Sequence, residues 1–169
     1  MVTYVKFTMK SAGFSLFELL IVIMIVAILS LIGVNNWRDL KLRSELSIVT
    51  LNIVQFLHDV KTHANFYNNT QHLFLVKRNT YQWCLVASVN EQLPNECNDR
   101  FNYIHVHGEI DIVGEYSRAL SSFYGRRSTA KAVTIKLKNQ IGESRIIISV
   151  PGRIRYCSYR TYLAGLPKC

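Results

Sequence analysis

Proline is scarce in this sequence and absent from its first half. The chain has three prolines in 169 residues, and the first of them is Pro94. Because proline breaks the interior of a helix, the segment before Pro94 is free to form a long helix. The sequence also lacks internal repeats and low-complexity tracts, and 49% of its residues are hydrophobic. Disorder is therefore not expected, and the length suits one domain with one membrane segment.

Catalytic motifs are missing as well. The five histidines belong to no nucleophile motif, and neither G-x-S-x-G nor H-E-x-x-H occurs. His105 and His107 alternate along a predicted strand, so they could share one face and hold a metal. An ordinary solvated strand face is the simpler interpretation of the same spacing. We therefore expect a protein that is not an enzyme and that has no cofactor and no bound metal.

Charge is absent from residues 19–34. Counted from Phe14, twenty-one residues contain one acid, Glu18, and about 20 apolar residues suffice for a helix to cross a bilayer. A secretory signal peptide is the rival interpretation, because Lys6 and Lys10 precede the run, but no A-x-A-like cleavage site follows it. The pattern predicts a spanning helix. A carboxylate in the hydrocarbon is costly, so Glu18 either snorkels to the headgroups or has a function.

The helical pattern continues beyond the apolar run. Apolar residues recur at intervals of three and four, which is the spacing of one face of an amphipathic helix. The residues of this face are Leu42, Leu46, Val49, Ile53, Phe56, Val60 and Ala64. The string FYNNTQ then predicts the end of the helix, because asparagine favours turns. One continuous helix from about Phe14 to about Phe66 is expected.

Short runs rich in β-branched and aromatic residues follow Thr70. Asn, Gly, Pro and Ser separate them, as they separate the strands of a small antiparallel domain. The runs are HLFLVKR, YQWCLVASV, YIHVH, EIDIVG, AVTIKLK, SRIIISV and RIRYCSY. One hairpin is predicted around Asn139 to Glu143, and a tight one around Pro151 and Gly152. The expected fold class is α+β, with a long N-terminal helix packed on a small antiparallel β-sheet domain.

Cysteine is absent from the helical segment, and all four cysteines lie in the β-rich part of the chain. Structural zinc is the rival of disulfides, but no C-x-x-C pair occurs and the spacings of 13, 60 and 12 match no common site. Three disulfide pairings are possible. We favour Cys84 with Cys97 and Cys157 with Cys169, because each closes a short loop. The second pair would fasten the last residue of the chain to the sheet.

Acidic residues are nearly absent from the last third of the chain. Residues 118–169 hold eleven basic residues against Glu143 alone, a balance of +10. Residues 14–117 hold seven basic and ten acidic residues, a balance of −3. Such a basic block indicates a polyanionic partner. Nucleic acid, anionic lipid and an acidic neighbouring subunit are the candidates.

The string PGRIRYCSYR favours nucleic acid. Strand alternation places Arg153 and Arg155 on one face, about 6 to 7 Å apart, with Ile154 turned inward. This separation is close to that of successive phosphates along a DNA strand, and the planar guanidinium suits phosphate. The predicted DNA-binding site therefore has Arg153 and Arg155 at its centre. The residues expected around them are Gly152, Arg160, Lys136, Lys138, Arg126 and Arg127.

The N-terminal segment combines two lysines with Gly13, Phe14 and Glu18, and an uninterrupted apolar helix follows. This pattern resembles the class III signal of type IV prepilins and type II secretion pseudopilins. The resemblance implies that a prepilin peptidase cuts between Gly13 and Phe14 and methylates the new amino terminus of Phe14. It also implies that Glu18 pairs with the terminal amine of a neighbouring subunit during assembly. Such pairing makes a buried carboxylate tolerable.

The same resemblance implies the organisation of the whole chain as a pilin-like protein. Residues 1–13 are the cleaved leader, 14–36 the transmembrane helix segment, 37–67 the amphipathic helix segment and 68–169 the periplasmic β-rich globular domain. The expected location is the bacterial inner membrane, crossed once, and then a pilus or pseudopilus. The expected partners are the prepilin peptidase, other major and minor pilins, and the inner membrane.

The string G-R-x-R near the C-terminus resembles the FimT/GspH group of minor pilins, some of whose FimT-type members bind DNA during natural transformation. The strings WCLVAS and ISVPGRIRYC also resemble a minor pilin of this group. The resemblance implies a minor pilin that binds extracellular double-stranded DNA without sequence specificity, through contacts that are mainly to phosphate. The alternative is a structural minor pilin or pseudopilin that helps start assembly of a type IV pilus or type II secretion pseudopilus and does not bind DNA.

Overall fold

The structure is a computed structural model. It describes residues 15–94, 97, 101–105, 108–113 and 119–169, without the side chains of 31–35. The chain divides into two compact units, Met1–Arg38 and Asp39–Cys169. The proposed cleavage site at Gly13 and Phe14 lies outside the described residues, as does His107.

One α-helix, α1, runs over Leu16–Phe66, and the first unit ends within it at Arg38. The predicted C-terminal end of this helix is confirmed. Asn68 adopts a left-handed conformation with φ of 51°, and the backbone N–H of Asn69 donates to the carbonyl of Ala64 at 3.1 Å. A left-handed residue after the last turn is a common way to satisfy the final helix carbonyls.

In the first unit, the apolar side chains between Leu16 and Leu29 are exposed. Within residues 15–94 and the other described ranges, we find no helix whose length and apolar character would let it cross a membrane. The transmembrane segment expected at residues 14–36 stays a prediction.

In the second unit, α1 buries the face that the sequence predicts. All seven residues of that face are buried or partly buried, and Leu46, Ile53 and Ala64 have no exposed surface. Val54 and Leu57 are buried too, so the buried face is broader than the predicted stripe. The width is explained by contact with two sheets rather than one.

The second unit also contains nine strands and one turn of 3-10 helix, η1, among the described residues. Their bounds are β1 Thr70–Lys77, β2 Trp83–Ser88, β3 Phe101–His105, β4 Asp111–Val113, β5 Ser121–Tyr124, η1 Gly125–Arg127, β6 Thr129–Ala130, β7 Val133–Lys138, β8 Glu143–Ile148 and β9 Ile154–Tyr159.

The strands form two antiparallel sheets. The first sheet has the order β3-β2-β1-β5-β6, and the second has the order β4-β7-β8-β9. The hairpin predicted around Asn139 to Glu143 joins β7 to β8, and the one predicted around Pro151 and Gly152 joins β8 to β9. The predicted α+β class, a long N-terminal helix with an antiparallel β domain, is confirmed.

Strands β5 and β6 were not among the seven predicted runs. Ser121 and Ser122 of β5 are buried, although serine favours turns rather than strands. The side chain of Ser121 donates to the carbonyl of Lys131 at 2.7 Å, and that of Ser122 lies 2.9 Å from Nδ1 of His72. Partners supplied by other segments therefore stabilise β5, and a local pattern does not reveal them.

The core lies where α1 meets the inner faces of both sheets. Leu57 of α1, Phe123 of the first sheet and Ile146 of the second are at most 1% exposed and belong to one hydrophobic cluster. Leu163 and Leu166 of the C-terminal segment join the same cluster. Complete burial of one such side chain contributes about 1.5 to 3 kcal/mol.

Trp83 belongs to this core, as predicted, and its indole N–H donates to the carbonyl of Ile110 at 2.9 Å. The solvated strand face expected for His105 is wrong. His105 pairs with Trp83 in the β2–β3 register, so the two side chains share the inward side of the sheet. The imidazole stacks on the indole with ring centres 4.8 Å apart and is 5% exposed.

The structure contains two disulfides, Cys84–Cys97 and Cys157–Cys169, which is the favoured pairing. The second fastens the end of the chain along β9. The backbone N–H of Ser158 donates to the carbonyl of Pro167 at 2.7 Å, and that of Cys169 donates to Ser158 at 3.0 Å. The last three residues thus cover the edge strand of the second sheet.

Replacing Cys157 and Cys169 together with serine is expected to loosen this edge. Loss of a disulfide that closes a 12-residue separation should lower the free energy of unfolding by about 2 to 4 kcal/mol. Amide hydrogen exchange should accelerate in β9 more than around Leu57 of α1. Equal acceleration of exchange in β9 and around Leu57 would contradict a stabilising effect confined to the edge of the second sheet. The variant with Cys84→Ser and Cys97→Ser is the matched control.

Candidate functional site

The turn between β8 and β9, with the start of β9, carries Arg153 and Arg155. The backbone N–H of Gly152 donates to the carbonyl of Ser149 at 2.8 Å, and that of Ser149 donates to Arg153 at 3.0 Å. Gly152 has φ of 70°, a left-handed conformation that favours glycine. A Cβ at Gly152 would also lie 2.9 Å from the carbonyl oxygen of Ser128. The glycine of the G-R-x-R string is thus required both for the turn and for a close contact.

Arg153 and Arg155 point away from the core. Both are exposed, whereas Ile154 and Tyr156 pack against the hydrophobic cluster. The alternation predicted for this strand is therefore present in the structure. Neither arginine makes an ion pair with any described residue. Their guanidinium donors are available to an external anion.

The outer face of the second sheet carries further basic residues. Lys136 pairs in register with Arg145, and Arg155 pairs with Ile147 two residues along β8. Because directly paired residues lie on the same side of a sheet, Lys136, Arg145 and Arg155 share one face. We call this surface the basic face. It comprises Lys136, Lys138, Arg145, Arg153 and Arg155.

Two acids lie on or beside the basic face, and each has a basic partner. Glu143 accepts a hydrogen bond from Nε of Arg145 at 2.6 Å, and Asp111 pairs with Lys77 at 2.7 Å. The hydrogen bond that Arg145 donates to Glu143 raises the pKa of Arg145 above its ordinary value, so this guanidinium stays charged. Lys136 and Lys138 make no ion pair within the described part of the chain.

Arg160 lies beyond the end of β9, beside an aromatic ring. The guanidinium carbon of Arg145 lies 3.5 Å from the centre of the Tyr159 ring, and that of Arg160 lies 5.0 Å from it. Lys168 and Arg160 border the same open pocket of about 340 Å³. The predicted residue Arg160 is therefore placed next to the basic face through Tyr159.

Arg126 and Arg127 come to the same region from the first sheet. They belong to η1, and the residue after it, Ser128, contacts Gly152 of the β8–β9 turn as described above. The N–H of Ala130 also donates to the carbonyl of Val150 in that turn at 2.9 Å. The structure thus brings η1 and the turn together, although they are far apart in sequence.

Sequence reasoning missed two cations at this site. Lys61 of α1 places its Nζ 3.6 Å from the position of a Cβ on Gly152. No local signal could have identified Lys61, because 91 residues separate it from the turn. Arg145 could have been found, since it alternates with buried residues in β8 and so must face outward with Lys136.

Glu18 lies in the first turn of α1 and is exposed in the first unit. Its predicted partner, the amino terminus of Phe14 in another subunit, lies outside the described residues.

Among the described residues, no three His, Cys, Asp or Glu side chains are grouped so that they could hold a metal ion.

Comparison with known families finds one match. The model of the prokaryotic N-terminal methylation motif matches residues 8–34, which include Gly13, Phe14 and Glu18. No curated protein and no solved structure matches the chain. The motif implies processing by a prepilin peptidase and association with pilins, and it suggests a membrane-anchored protein that passes into a pilus.

Proposed function

We propose that the chain, whose methylation motif is that of type IV prepilin-like proteins, is a minor pilin that binds double-stranded DNA through the basic face. In this role the apolar start of α1 anchors the chain in the inner membrane, and the β domain is periplasmic before assembly. At the pilus, the basic face meets extracellular DNA during natural transformation.

The observation that carries the proposal is the pair Arg153 and Arg155. Both residues are exposed. Arg153 ends a turn that a glycine and two backbone hydrogen bonds hold in place, and Arg155 lies in β9, paired in register with β8. Phosphate is a strong acceptor for the forked donors of arginine. Because the backbone that carries these arginines is already ordered, binding should cost less backbone freedom than it would for arginines on a flexible tail.

The surroundings of the pair support a polyanion rather than a small anion. Lys136, Lys138, Arg126 and Arg127 lie on or near the same surface, and the two acids on or beside the basic face, Glu143 and Asp111, are already paired. Contacts with successive phosphates need cations spread along a surface, which this arrangement provides. The resemblance of the G-R-x-R string to FimT-type minor pilins points in the same direction.

A structural role without DNA binding is the second candidate. It is favoured by the exposed apolar side chains between Leu16 and Leu29, which suit packing against other helices in a pilus or pseudopilus. In this alternative the basic face meets an acidic partner subunit or lipid headgroups. The two roles differ in what the arginines contact.

A salt titration tests the proposed function. The full-length chain in non-ionic detergent, with its disulfides formed, should bind unrelated duplexes with similar affinity. The logarithm of the binding constant should fall linearly with the logarithm of salt, by about 0.9 for each phosphate contact. Binding that depends on the DNA sequence and does not weaken with added salt would contradict contacts that are mainly to phosphate.

Replacing Glu18 with alanine is expected to impair assembly rather than insertion. If Glu18 pairs with the amine of Phe14 in a neighbouring subunit, the variant should be cleaved and membrane-inserted but poorly incorporated into filaments. Immunoblots of sheared filaments measure the incorporated protein, and immunoblots of membranes measure the inserted protein. Glu45→Ala, which changes an acid of the second unit, is the control. Normal incorporation of the Glu18 variant would favour snorkelling to the headgroups.

A further inference from the structure

An open pocket of about 640 Å³ lies beside η1, and its lining combines an aromatic ring with two arginines. This volume is within the range of about 300 to 1,000 Å³ that small-ligand sites occupy. None of the described residues that line the pocket is acidic. Its lining residues are Asn68, Thr70, Tyr124, Arg126, Arg127 and Thr129.

The Tyr124 ring is presented from a sheet rather than from a mobile loop. Tyr124 pairs in register with Thr70 on one side and with Thr129 on the other, so the three side chains lie across neighbouring strands on one face. Tyr124 is 40% exposed, and both neighbours are much smaller than its ring. A planar group can therefore approach the ring.

The backbone that carries the two arginines is fixed. The N–H of Gly125 donates to the carbonyl of Asn69 at 3.1 Å, and a Cβ at Gly125 would lie 2.0 Å from the carbonyl oxygen of Ala64. This close approach holds η1 against the end of α1. Arg126 and Arg127 are exposed, and no described acid pairs with either of them.

An aromatic ring beside paired guanidiniums matches the chemistry of a single nucleotide. A base stacks on an aromatic side chain, arginine binds the phosphate, and such stacking tolerates any base. In the interior of a duplex each base is covered on both faces by its neighbours, so an interior base cannot stack on Tyr124. The pocket therefore suits an unpaired nucleotide, and η1 contacts the arginine-bearing turn through Ser128 and Gly152.

We propose that Tyr124, Arg126 and Arg127 form a subsite for one unpaired nucleotide, with its base on the tyrosine ring and its phosphate at the guanidiniums. The inference rests on the proposed DNA binding and adds to it a preference for DNA that carries a single-stranded end. The duplex lies on Arg153 and Arg155, and its unpaired end enters the pocket.

The experiment compares a blunt duplex with the same duplex carrying a short overhang that contains 2-aminopurine. It uses the full-length chain in non-ionic detergent with its disulfides formed. The overhang should tighten binding by about tenfold, and stacking on Tyr124 should quench the 2-aminopurine fluorescence. Tyr124→Ala should abolish both effects and leave blunt-duplex binding unchanged, whereas Tyr124→Phe should retain both because the ring persists.

Tyr81→Ala is the matched control, because Tyr81 is similarly exposed but follows the opposite end of β1. Equal binding of the two DNAs, with no effect of Tyr124→Ala, would overturn the nucleotide subsite and leave the proposed function intact. Failure of both DNAs to bind would overturn both. A third outcome would assign the pocket to a protein partner instead. In that case the overhang would not tighten DNA binding, and the chain would bind an acidic peptide in a way that Arg126→Gln and Arg127→Gln abolish.

Discussion

Replacing Arg153 and Arg155 together with glutamine is expected to abolish natural transformation while filaments continue to form. Glutamine keeps a polar, though shorter, side chain and removes both charges, one from the β8–β9 turn and one from the start of β9. If each arginine contacts one phosphate, the slope of log K against log salt should become shallower by about 2. Ile154 and Tyr156 still pack in the core, so the fold should survive.

The control for this variant removes two charges elsewhere. Lys41 and Arg78 are exposed and lie outside the basic face, so Lys41→Gln, Arg78→Gln should leave the salt slope nearly unchanged. This comparison separates a local contact from the overall positive field of the chain. Loss of filaments with unchanged DNA affinity in the Arg153, Arg155 variant would favour the structural role.

Replacing Gly13 with valine is expected to block removal of the leader completely. By resemblance to prepilins, the peptidase requires a small residue before the cut, and a β-branched side chain does not meet that requirement. The variant should keep residues 1–13, and no processed chain should enter filaments. Intact-mass measurement of the membrane-extracted protein distinguishes the two forms, because the processed chain should lack residues 1–13 and should carry a methyl group on Phe14.

Gly13→Ala provides the graded control for cleavage. Alanine is the next smallest residue, so part of the protein should still be processed. A wild-type chain that retains residues 1–13 when extracted from membranes with an active peptidase would contradict this assignment. Cleavage at a later position would do the same, and would favour an ordinary signal peptide.

Features with a local cause could be predicted from the sequence. The repeat of apolar residues identified the buried face of α1, and FYNNTQ marked its end at Asn68. Alternation in the last strand placed Arg153 and Arg155 outward and Ile154 inward. In each case neighbouring residues alone determine the geometry, so the pattern is sufficient.

Features that depend on distant partners could not be predicted. Lys61 approaches Gly152 because α1 passes beneath the β8–β9 turn, and nothing near Lys61 in the sequence indicates this. His105 is buried because it pairs with Trp83, whereas its own alternation fits a solvated face equally well. The sequence also does not show which of the eleven cations of the last third pairs with Glu143, and the structure identifies it as Arg145.

The subsite at Tyr124 illustrates the same limit. Tyr124 comes from β5, its threonine neighbours from β1 and β6, and the two arginines from η1. Only the strand order of the first sheet brings these elements together. The sequence alone marked Arg126 and Arg127 as basic. It gave no reason to associate them with an aromatic ring.

Fluorescence anisotropy of a labelled duplex of about 30 base pairs, titrated with the full-length chain at low salt, tests DNA binding most directly. The account predicts saturable binding at or below protein concentrations of about 1 to 100 μM, the range of sequence-independent DNA binding at physiological salt, and reversal by added salt. The chain should be in non-ionic detergent with both disulfides formed. Absence of any change in anisotropy across that range would contradict the proposed function.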